Sequence, residues 1–146
     1  MPPGPKQVER VLHVLRDWAE QESDVVGLLL VGSWASGRAK DDSDIDVMAL
    51  AANPARFRET EDWIHDIAWE DAGLSVREWL DEDYGVVWSR HLLCESGLEV
   101  ELSFAEVTWA AVDPVDPGTV KLVRSGCRIV YDPCGHVSSL ISALRP

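Results

Sequence analysis

Two short apolar segments constrain the fold of this chain more than any other feature of its sequence. They are VVGLLLV at residues 25–31 and IDVMAL at residues 45–50. A nearly unbroken apolar run of this length is typical of a strand that is buried on both faces. We therefore expect two central strands, joined by a Gly-Ser turn, a short helical turn and a polar loop.

The segments around these two strands alternate between helical and extended patterns. Apolar residues recur at three- and four-residue steps over Lys6–Glu22, which predicts an amphipathic helix. Asn53 and Pro54 are favourable residues for the start of a second helix, which we expect to end at Gly73. Further elements are predicted in the second half of the chain: strands at Gly85–Cys94 and Leu98–Phe104, a helix over Asp116–Arg124, a strand at Cys127–Tyr131 and a last helix through Leu144.

The size and composition of the chain fit one compact domain. Its 146 residues match the common domain length, and a hydrophobic share of 46% supplies enough material for a core. We expect a flexible tail at residues 1–5 and a single domain over residues 6–146.

The sequence carries none of the usual signals for membrane insertion or export. No apolar run approaches the roughly 18 residues of a membrane span, and the N-terminal MPPGPKQVER lacks the apolar segment of a secretory signal. Three cysteines without C-x-x-C spacing fit reduced thiols better than disulfides or a zinc site. We therefore expect a cytoplasmic protein that does not bind membranes.

The charge balance argues against a nucleic-acid partner. Thirteen basic and 26 acidic residues give a formal net charge of -13. Proteins that bind polynucleotides gain much of their affinity from Lys and Arg side chains that neutralise phosphates. We expect no binding of nucleic acid, although a local basic patch can still hold one triphosphate.

The turn after the first apolar strand has the features of a phosphate-binding turn. Gly32 lets the backbone turn and allows a ligand to approach closely. Ser33 offers a hydroxyl and, at the start of a helical turn, free backbone N–H groups that favour an anion.

Acidic residues follow at positions that predict a metal site. Because side chains of a strand alternate between its two faces, Asp44 and Asp46 lie on one face and Ile45 on the other. The same alternation along residues 98–104 places Glu99 and Glu101 on the polar face of a later strand. If the two strands are neighbours, either glutamate can complete a cluster of three carboxylates. Such a cluster suits Mg²⁺ and can hold two metal ions.

This combination resembles the signature of the DNA polymerase beta-type nucleotidyltransferase superfamily, in particular its small stand-alone members. The resemblance rests on Gly32-Ser33, ten intervening residues, Asp44-x-Asp46 and an acidic residue on a following strand. Glu101 fits the third acidic position best, and Glu99 is the alternative. The resemblance implies an α+β fold in which a mixed sheet carries helices packed mainly on one face.

The resemblance also implies an activity and a set of residue roles. The chain would transfer a nucleoside monophosphate from a nucleoside triphosphate to a hydroxyl group and release pyrophosphate. The catalytic and metal-binding residues would be Asp44, Asp46 and Glu101, which would hold two Mg²⁺ ions. The phosphate-binding residues would be Gly32, Ser33, Arg38 and Lys40. Trp34 and Arg90 are weaker candidates for the same site.

Two kinds of partner remain open at this point. Larger members of the superfamily carry a further domain that helps to hold the acceptor, and nothing in this sequence is long enough to form one. The acceptor would then be a small molecule or a protein. The alternative is a minimal nucleotidyltransferase antitoxin, an interaction module that acts on or binds a helical HEPN-type toxin, and a homodimer is a further option.

Overall fold

The structure, a computed structural model, describes residues 4–112 and 116–144. Its six strands are β1 (Val25–Val31), β2 (Ile45–Ala51), β3 (Val76–Asp83), β4 (Val87–Cys94), β5 (Glu99–Glu106) and β6 (Arg128–Tyr131). They form one sheet in the order β3-β4-β5-β2-β1-β6. Strands β2 and β5 run parallel, and every other pair of neighbours is antiparallel. The two segments predicted as central strands thus lie side by side in a mixed sheet.

Six α-helices lie between these strands or flank them within the described residues. They are α1 (Pro5–Gln21), α2 (Gly32–Ser36), α3 (Pro54–Glu59), α4 (Asp62–Asp66), α5 (Pro117–Arg124) and α6 (His136–Leu144). Two short 3-10 turns cover Trp69–Ala72 and Val107–Ala110. The predicted flexible tail falls largely outside the described residues, and Pro5 is already the first residue of α1. No helix of the described part of the chain has the length and apolar character needed to cross a bilayer.

One face of the sheet carries the larger core. The apolar stripe of α1 packs on it together with α3 and α4, as the amphipathic pattern predicts. Phe104 of β5 lies at the centre, where its ring stacks between Phe57 and Trp88 with centroids 5.0 and 4.8 Å away. Trp63 packs edge-on against Phe104 at 5.3 Å. This arrangement of aromatic rings fixes α3 and α4 over β4 and β5.

The opposite face is only partly covered. A smaller core around Leu29, Leu50 and Ala105 packs against α5, α6 and the turn at Val107–Ala110. On the same face of β2, the residue two positions before Met48 is Asp46, which is only partly buried. The start of β2 and the middle of β5 therefore present polar side chains on a face that the helices leave accessible.

The predicted helix from Asn53 to Gly73 is wrong, because the structure breaks this segment into α3, α4 and a 3-10 turn. Side chains satisfy the backbone carbonyls that the breaks expose. The indole N–H groups of Trp63 and Trp69 donate to the carbonyls of Phe57 and Ile64 at 2.8 and 2.9 Å. The apolar periodicity of the segment does not reveal these capping contacts, which join residues six and five positions apart.

Strand β3 was not predicted. Its sequence, VREWLDED, is mostly charged, and its side chains are half-buried or exposed along the whole strand. β3 lies at the edge of the sheet and pairs only with β4 among the described residues. Charged residues are common on such edges because they discourage pairing with other chains, and they remove the apolar alternation that identifies a buried strand.

Candidate active site

The pairing of three strands brings acidic residues into one row across the sheet. Asp46 of β2 is the register partner of Glu101 in the parallel strand β5. Glu101 in turn faces His91 in the antiparallel strand β4. Register partners in a sheet project to the same face, so the side chains of Asp46, Glu101 and His91 lie next to one another. This row lies on the face that the helices leave accessible.

Gly32 brings the turn after β1 into direct contact with this row. Its φ of 73° lies in the left-handed region, which side chains other than glycine rarely adopt. A Cβ at this position would meet the Oδ2 atom of Asp46 at 2.2 Å. Only glycine therefore fits here as the first residue of α2, and Ser33 is the second residue of that helix.

Helix α2 is fixed from two further sides. The indole N–H of Trp34 donates to the carbonyl of Ser43 at 3.1 Å, which ties the helix to the loop that leads into β2. On the other side, a Cβ on Gly126 would meet the Cα of Ser36 at 2.9 Å. The position of α2 relative to β2 thus depends on close backbone contacts.

The carboxyl group of Asp46 has a strongly perturbed acidity. Burial, followed by the negative charges of Glu101, Asp44 and Glu99, raises its pKa from 3.8 to about 7. A hydrogen bond between the carboxyl groups of Asp46 and Glu101 acts in the same direction. Near neutral pH, Asp46 in the metal-free protein is therefore divided between its protonated and charged forms.

Asp44 and Glu99 form a second pair of carboxyl groups beside the first. Burial raises the pKa of Asp44, and the charge of Glu99 and a hydrogen bond with it add to this shift. We call Asp44, Asp46, Glu99 and Glu101 the acidic cluster. Both glutamates belong to it, so the strand alternation correctly places them on one face.

His91 is a member of this site that the sequence analysis did not identify. Its Nδ1 atom lies 3.1 Å from Oε2 of Glu99 and 3.7 Å from Oε1 of Glu101. Burial lowers its pKa, but the hydrogen bond with Glu99 and the surrounding carboxylates outweigh this effect, so the net shift is upward. The turn at residues 95–97 and the alternation along β4 are the sequence signals that could have placed His91 opposite Glu101.

The donor set of the acidic cluster fits a hard divalent cation. Burial and the neighbouring carboxylates raise the pKa of Asp44 and Asp46, a cost that a cation between the four groups would relieve, and Mg²⁺ prefers carboxylate and phosphate oxygens. Ligand atoms of His91, Glu99 and Glu101 also lie within 4.8 Å of one another. The contact between Gly32 and Asp46 leaves the turn close enough for a ligand phosphate and a metal ion to share the site.

The other predicted phosphate contacts differ in their positions. Arg38 and Lys40 lie on the loop between α2 and β2, where both side chains are exposed. Arg90 lies on the opposite face of the sheet, so the weaker prediction that it contacts phosphate is wrong. Its guanidinium is 2% exposed, pairs with both oxygens of Asp81 and donates to the carbonyls of Arg58 and Thr60. Arg90 thus stabilises the break between α3 and α4.

A cavity of about 510 Å³ lies elsewhere in the molecule. It is bounded by Pro54, Trp88, Glu106 and Trp109, at the end of β2 and β5 that is opposite to the acidic cluster. The carboxylates therefore lie on an open part of the sheet and not in this cavity.

Comparisons with known proteins relate the chain to nucleotidyltransferases. Residues 12–83 match the family model of the nucleotidyltransferase domain. This segment contains the turn at Gly32-Ser33 and both aspartates, whereas β5 with its two glutamates lies beyond it. No curated protein matches the chain in sequence.

Solved structures share the fold. An aminoglycoside 6-adenyltransferase from Bacillus subtilis superimposes with a TM-score of 0.51 at 16% identity, over 73% of this chain and 37% of that chain. The Cid1 poly(U) polymerase matches with a TM-score of 0.48 at 20% identity, over 70% and 32% of the two chains. A toxin–antitoxin structure with AMP-PNP gives 0.46 at 14% identity, over 94% and 82%. The adenyltransferase match confirms the predicted fold, and this chain spans about a third of the length of the first two proteins.

Proposed function

Through residues 12–83 this chain belongs to the nucleotidyltransferase family, and we propose that it transfers a nucleoside monophosphate from a nucleoside triphosphate to an acceptor hydroxyl. In this reaction the acceptor oxygen forms a bond to the α-phosphorus, and the bond from that phosphorus to the bridging oxygen breaks. Pyrophosphate leaves, and the hydroxyl proton passes to a carboxylate of the site.

The convergence of the acidic cluster beside the turn at Gly32-Ser33 is the observation that carries this proposal. It brings carboxylates from the loop before β2, from β2 and from β5 to one accessible place on the sheet. Burial and the neighbouring negative charges raise the pKa of Asp46 to about 7, which a solvated surface carboxylate does not show, so its charged form is held at a cost in free energy. Such a cost at one place in a fold is typical of a functional site.

The three carboxylates that we assign to metal binding are Asp44, Asp46 and Glu101. They would hold Mg²⁺, and three carboxylates can hold two ions. Bound Mg²⁺ would supply charge neutralisation on the triphosphate and a lower pKa for the acceptor hydroxyl. Glu101 lies opposite Asp46 in the register, and we assign to it the removal of the acceptor proton.

The phosphate groups are assigned to the turn at the start of α2. Gly32 leaves space for close approach, and Ser33 would donate its hydroxyl and backbone N–H to the β and γ phosphates. Arg38 and Lys40 are exposed on the neighbouring loop and can reach towards a bound triphosphate. Their positive charges would offset part of the negative charge that the acidic cluster presents.

The acceptor is assigned to the class of small molecules or proteins. A net charge of -13 repels long polyanions, which makes a nucleic-acid acceptor unfavourable. Cys94, Cys127 and Cys134 are free thiols, which suits the proposed cytoplasmic location. A screen of α-labelled nucleoside triphosphates against small-molecule and protein acceptors tests the activity, with Asp46→Asn as the inactive control. If wild type labels no acceptor in the presence of Mg²⁺, or labels one no more than Asp46→Asn does, the proposed transferase activity is contradicted.

A second candidate function is that of an interaction module for a protein partner, such as the helical toxin partner of an antitoxin. The β3–β4 hairpin supports it, because Leu80 and Val86 are 69% and 81% exposed. Exposed apolar side chains that form a patch often mark a protein contact. Nucleotide transfer and partner binding are compatible, since a bound partner could itself present the acceptor hydroxyl.

A further inference from the structure

The imidazole of His91 lies between three carboxylates. Glu82 of β3 approaches Nε2 at 3.0 Å, and Glu99 and Glu101 of β5 approach Nδ1. The contact with Glu82 has the distance of an ion pair without the alignment of a hydrogen bond. With 16% of its side chain exposed, His91 is the most buried member of this group.

His91 contacts the two glutamates of β5 at different distances. It directly faces Glu101 in the strand register, yet its Nδ1 is closer to Glu99, at 3.1 Å against 3.7 Å. The hydrogen bond thus runs diagonally across the strand pair, a distance that long side chains can span. Glu99 is bound by a donor, whereas no hydrogen bond from His91 holds Glu101.

The two glutamates also differ in their other neighbours. Glu101 is the register partner of Asp46, and its side chain is 22% exposed. Glu99 lies two residues before Glu101 on the same face of β5, beside Asp44, and is 30% exposed. Both carboxylates are therefore near an aspartate, and strand alternation alone does not distinguish them as metal ligands.

We propose that His91 is a positioning residue that retains Glu99 by a hydrogen bond and thereby leaves Glu101 as the third metal-binding carboxylate. This inference rests on the proposed function, since it concerns the residues that would hold the metal. The hydrogen bond from His91 occupies Oε2 of Glu99 and partly neutralises that carboxylate, which reduces its attraction for a cation. Glu101 accepts no hydrogen bond from His91 and lies opposite Asp46 in the strand register.

A consequence of this selection is that Glu99 becomes available when the donor is removed. In His91→Ala, Glu99 gains rotational freedom and can supply an oxygen to the cation. Asn and Gln substitutions test the two ring nitrogens of His91 one at a time. The amide nitrogen of Asn takes a position close to that of Nδ1, and the amide nitrogen of Gln takes one close to that of Nε2. His91→Asn therefore keeps the contact with Glu99, and His91→Gln does not.

The test is a double-mutant cycle on the binding of Mn²⁺ alone, measured by electron paramagnetic resonance of the free ion. In the wild-type background, Glu101→Gln should weaken binding by about tenfold or more, and Glu99→Gln by much less. In the His91→Ala background, Glu101→Gln should weaken binding by only about twofold, because Glu99 takes its place. In the His91→Asn background the loss should return to about tenfold.

The possible failures are distinguishable. If wild-type protein does not bind Mn²⁺ at this site, the proposed metal-dependent function is contradicted together with this inference. If wild type binds Mn²⁺ but Glu101→Gln lowers the affinity by the same factor in the wild-type and His91→Ala backgrounds, only the positioning role is wrong. A larger loss for Glu99→Gln than for Glu101→Gln in wild type would also overturn it. Should His91→Ala fail to fold in a thermal melt, His91→Gln replaces it in the cycle with the same expected result.

Discussion

Gly32 lies so close to Asp46 that a Cβ on the glycine would be 2.2 Å from the Oδ2 atom of the aspartate. We assign the turn at Gly32 to phosphate binding and the carboxylate of Asp46 to metal binding. This contact places the two next to each other. Because φ at Gly32 is 73°, backbone conformation and available space impose the same residue at this position.

Gly32→Ala should therefore displace Asp46 and weaken Mn²⁺ binding as well as stability. The left-handed backbone alone costs about 1 to 2 kcal/mol for a residue with a Cβ, and the clash adds to it. Gly37→Ala is the matched control, because Gly37 has a φ of 77° but open space where its Cβ would lie. Urea denaturation should show a loss in both variants, while a titration with Mn²⁺ should be impaired only in Gly32→Ala. Equal Mn²⁺ affinity in the two variants would contradict the importance of this contact.

Asp46→Asn should leave the metal-free protein at least as stable as wild type near neutral pH. The folded-state pKa of Asp46 is raised to about 7, so the folded protein binds more protons than the unfolded chain between about pH 4 and 7. Stability that this group provides in its protonated form at low pH is lost as the pH rises through that window. The amide of Asn does not deprotonate in this window, so Asp46→Asn does not lose stability in this way.

Urea denaturation at several pH values, without metal, measures the effect. Wild-type stability should fall more steeply than that of Asp46→Asn between pH 4 and 7, with Asp42→Asn on the exposed loop as the control. A variant that is less stable than wild type at pH 7, with an unchanged slope, would identify Asp46 as a structural residue.

Arg90→Met should strongly destabilise the fold without affecting the acidic cluster. The guanidinium is buried, pairs with Asp81 and satisfies carbonyls at the break after α3. Removal of one member of a buried ion pair typically costs about 3 to 5 kcal/mol, whereas Arg77→Ala on the exposed edge should cost less than about 1 kcal/mol. Chemical denaturation gives both values. If Arg90→Met instead weakens nucleotide binding in protein that remains folded, its assignment to the structural core is incorrect.

The protein should discriminate against polyanions. At physiological salt we expect no measurable affinity for duplex DNA or tRNA, because a surface with a net charge of -13 repels phosphates. Fluorescence anisotropy over a range of salt concentrations checks this expectation. Submicromolar binding of tRNA that weakens steeply with salt would support a nucleic-acid acceptor in place of a small molecule or protein.

Short-range patterns in the sequence were sufficient to locate β1, β2 and the polar face of β5. Apolar runs identify buried strands, and alternation places Asp44 and Asp46 on one face. The register between β2 and β5 is a long-range property, and it is what places Glu101 opposite Asp46. Sequence alternation therefore left the choice between Glu99 and Glu101 open.

The features that were missed depend on contacts between distant segments. Arg90 looks like a candidate for phosphate binding until the pairing of β4 with β3 sets it beside Asp81 on the core face. His91, the next residue, faces the opposite side and joins the acidic cluster. The break between α3 and α4 is stabilised by Arg90 from a distant strand and by Trp63 within the segment, and local helix propensity reflects neither contact.

In the proposed function, Asp44, Asp46 and Glu101 hold a metal ion against a nucleoside triphosphate bound at Gly32-Ser33. Its most direct test is isothermal titration calorimetry of each of the four nucleoside triphosphates, with and without Mg²⁺, against wild type and Asp46→Asn. We predict that at least one triphosphate binds wild-type protein only when Mg²⁺ is present, and that Asp46→Asn abolishes this binding while remaining folded. Binding of the same strength without Mg²⁺, or unchanged binding to Asp46→Asn, would contradict the account.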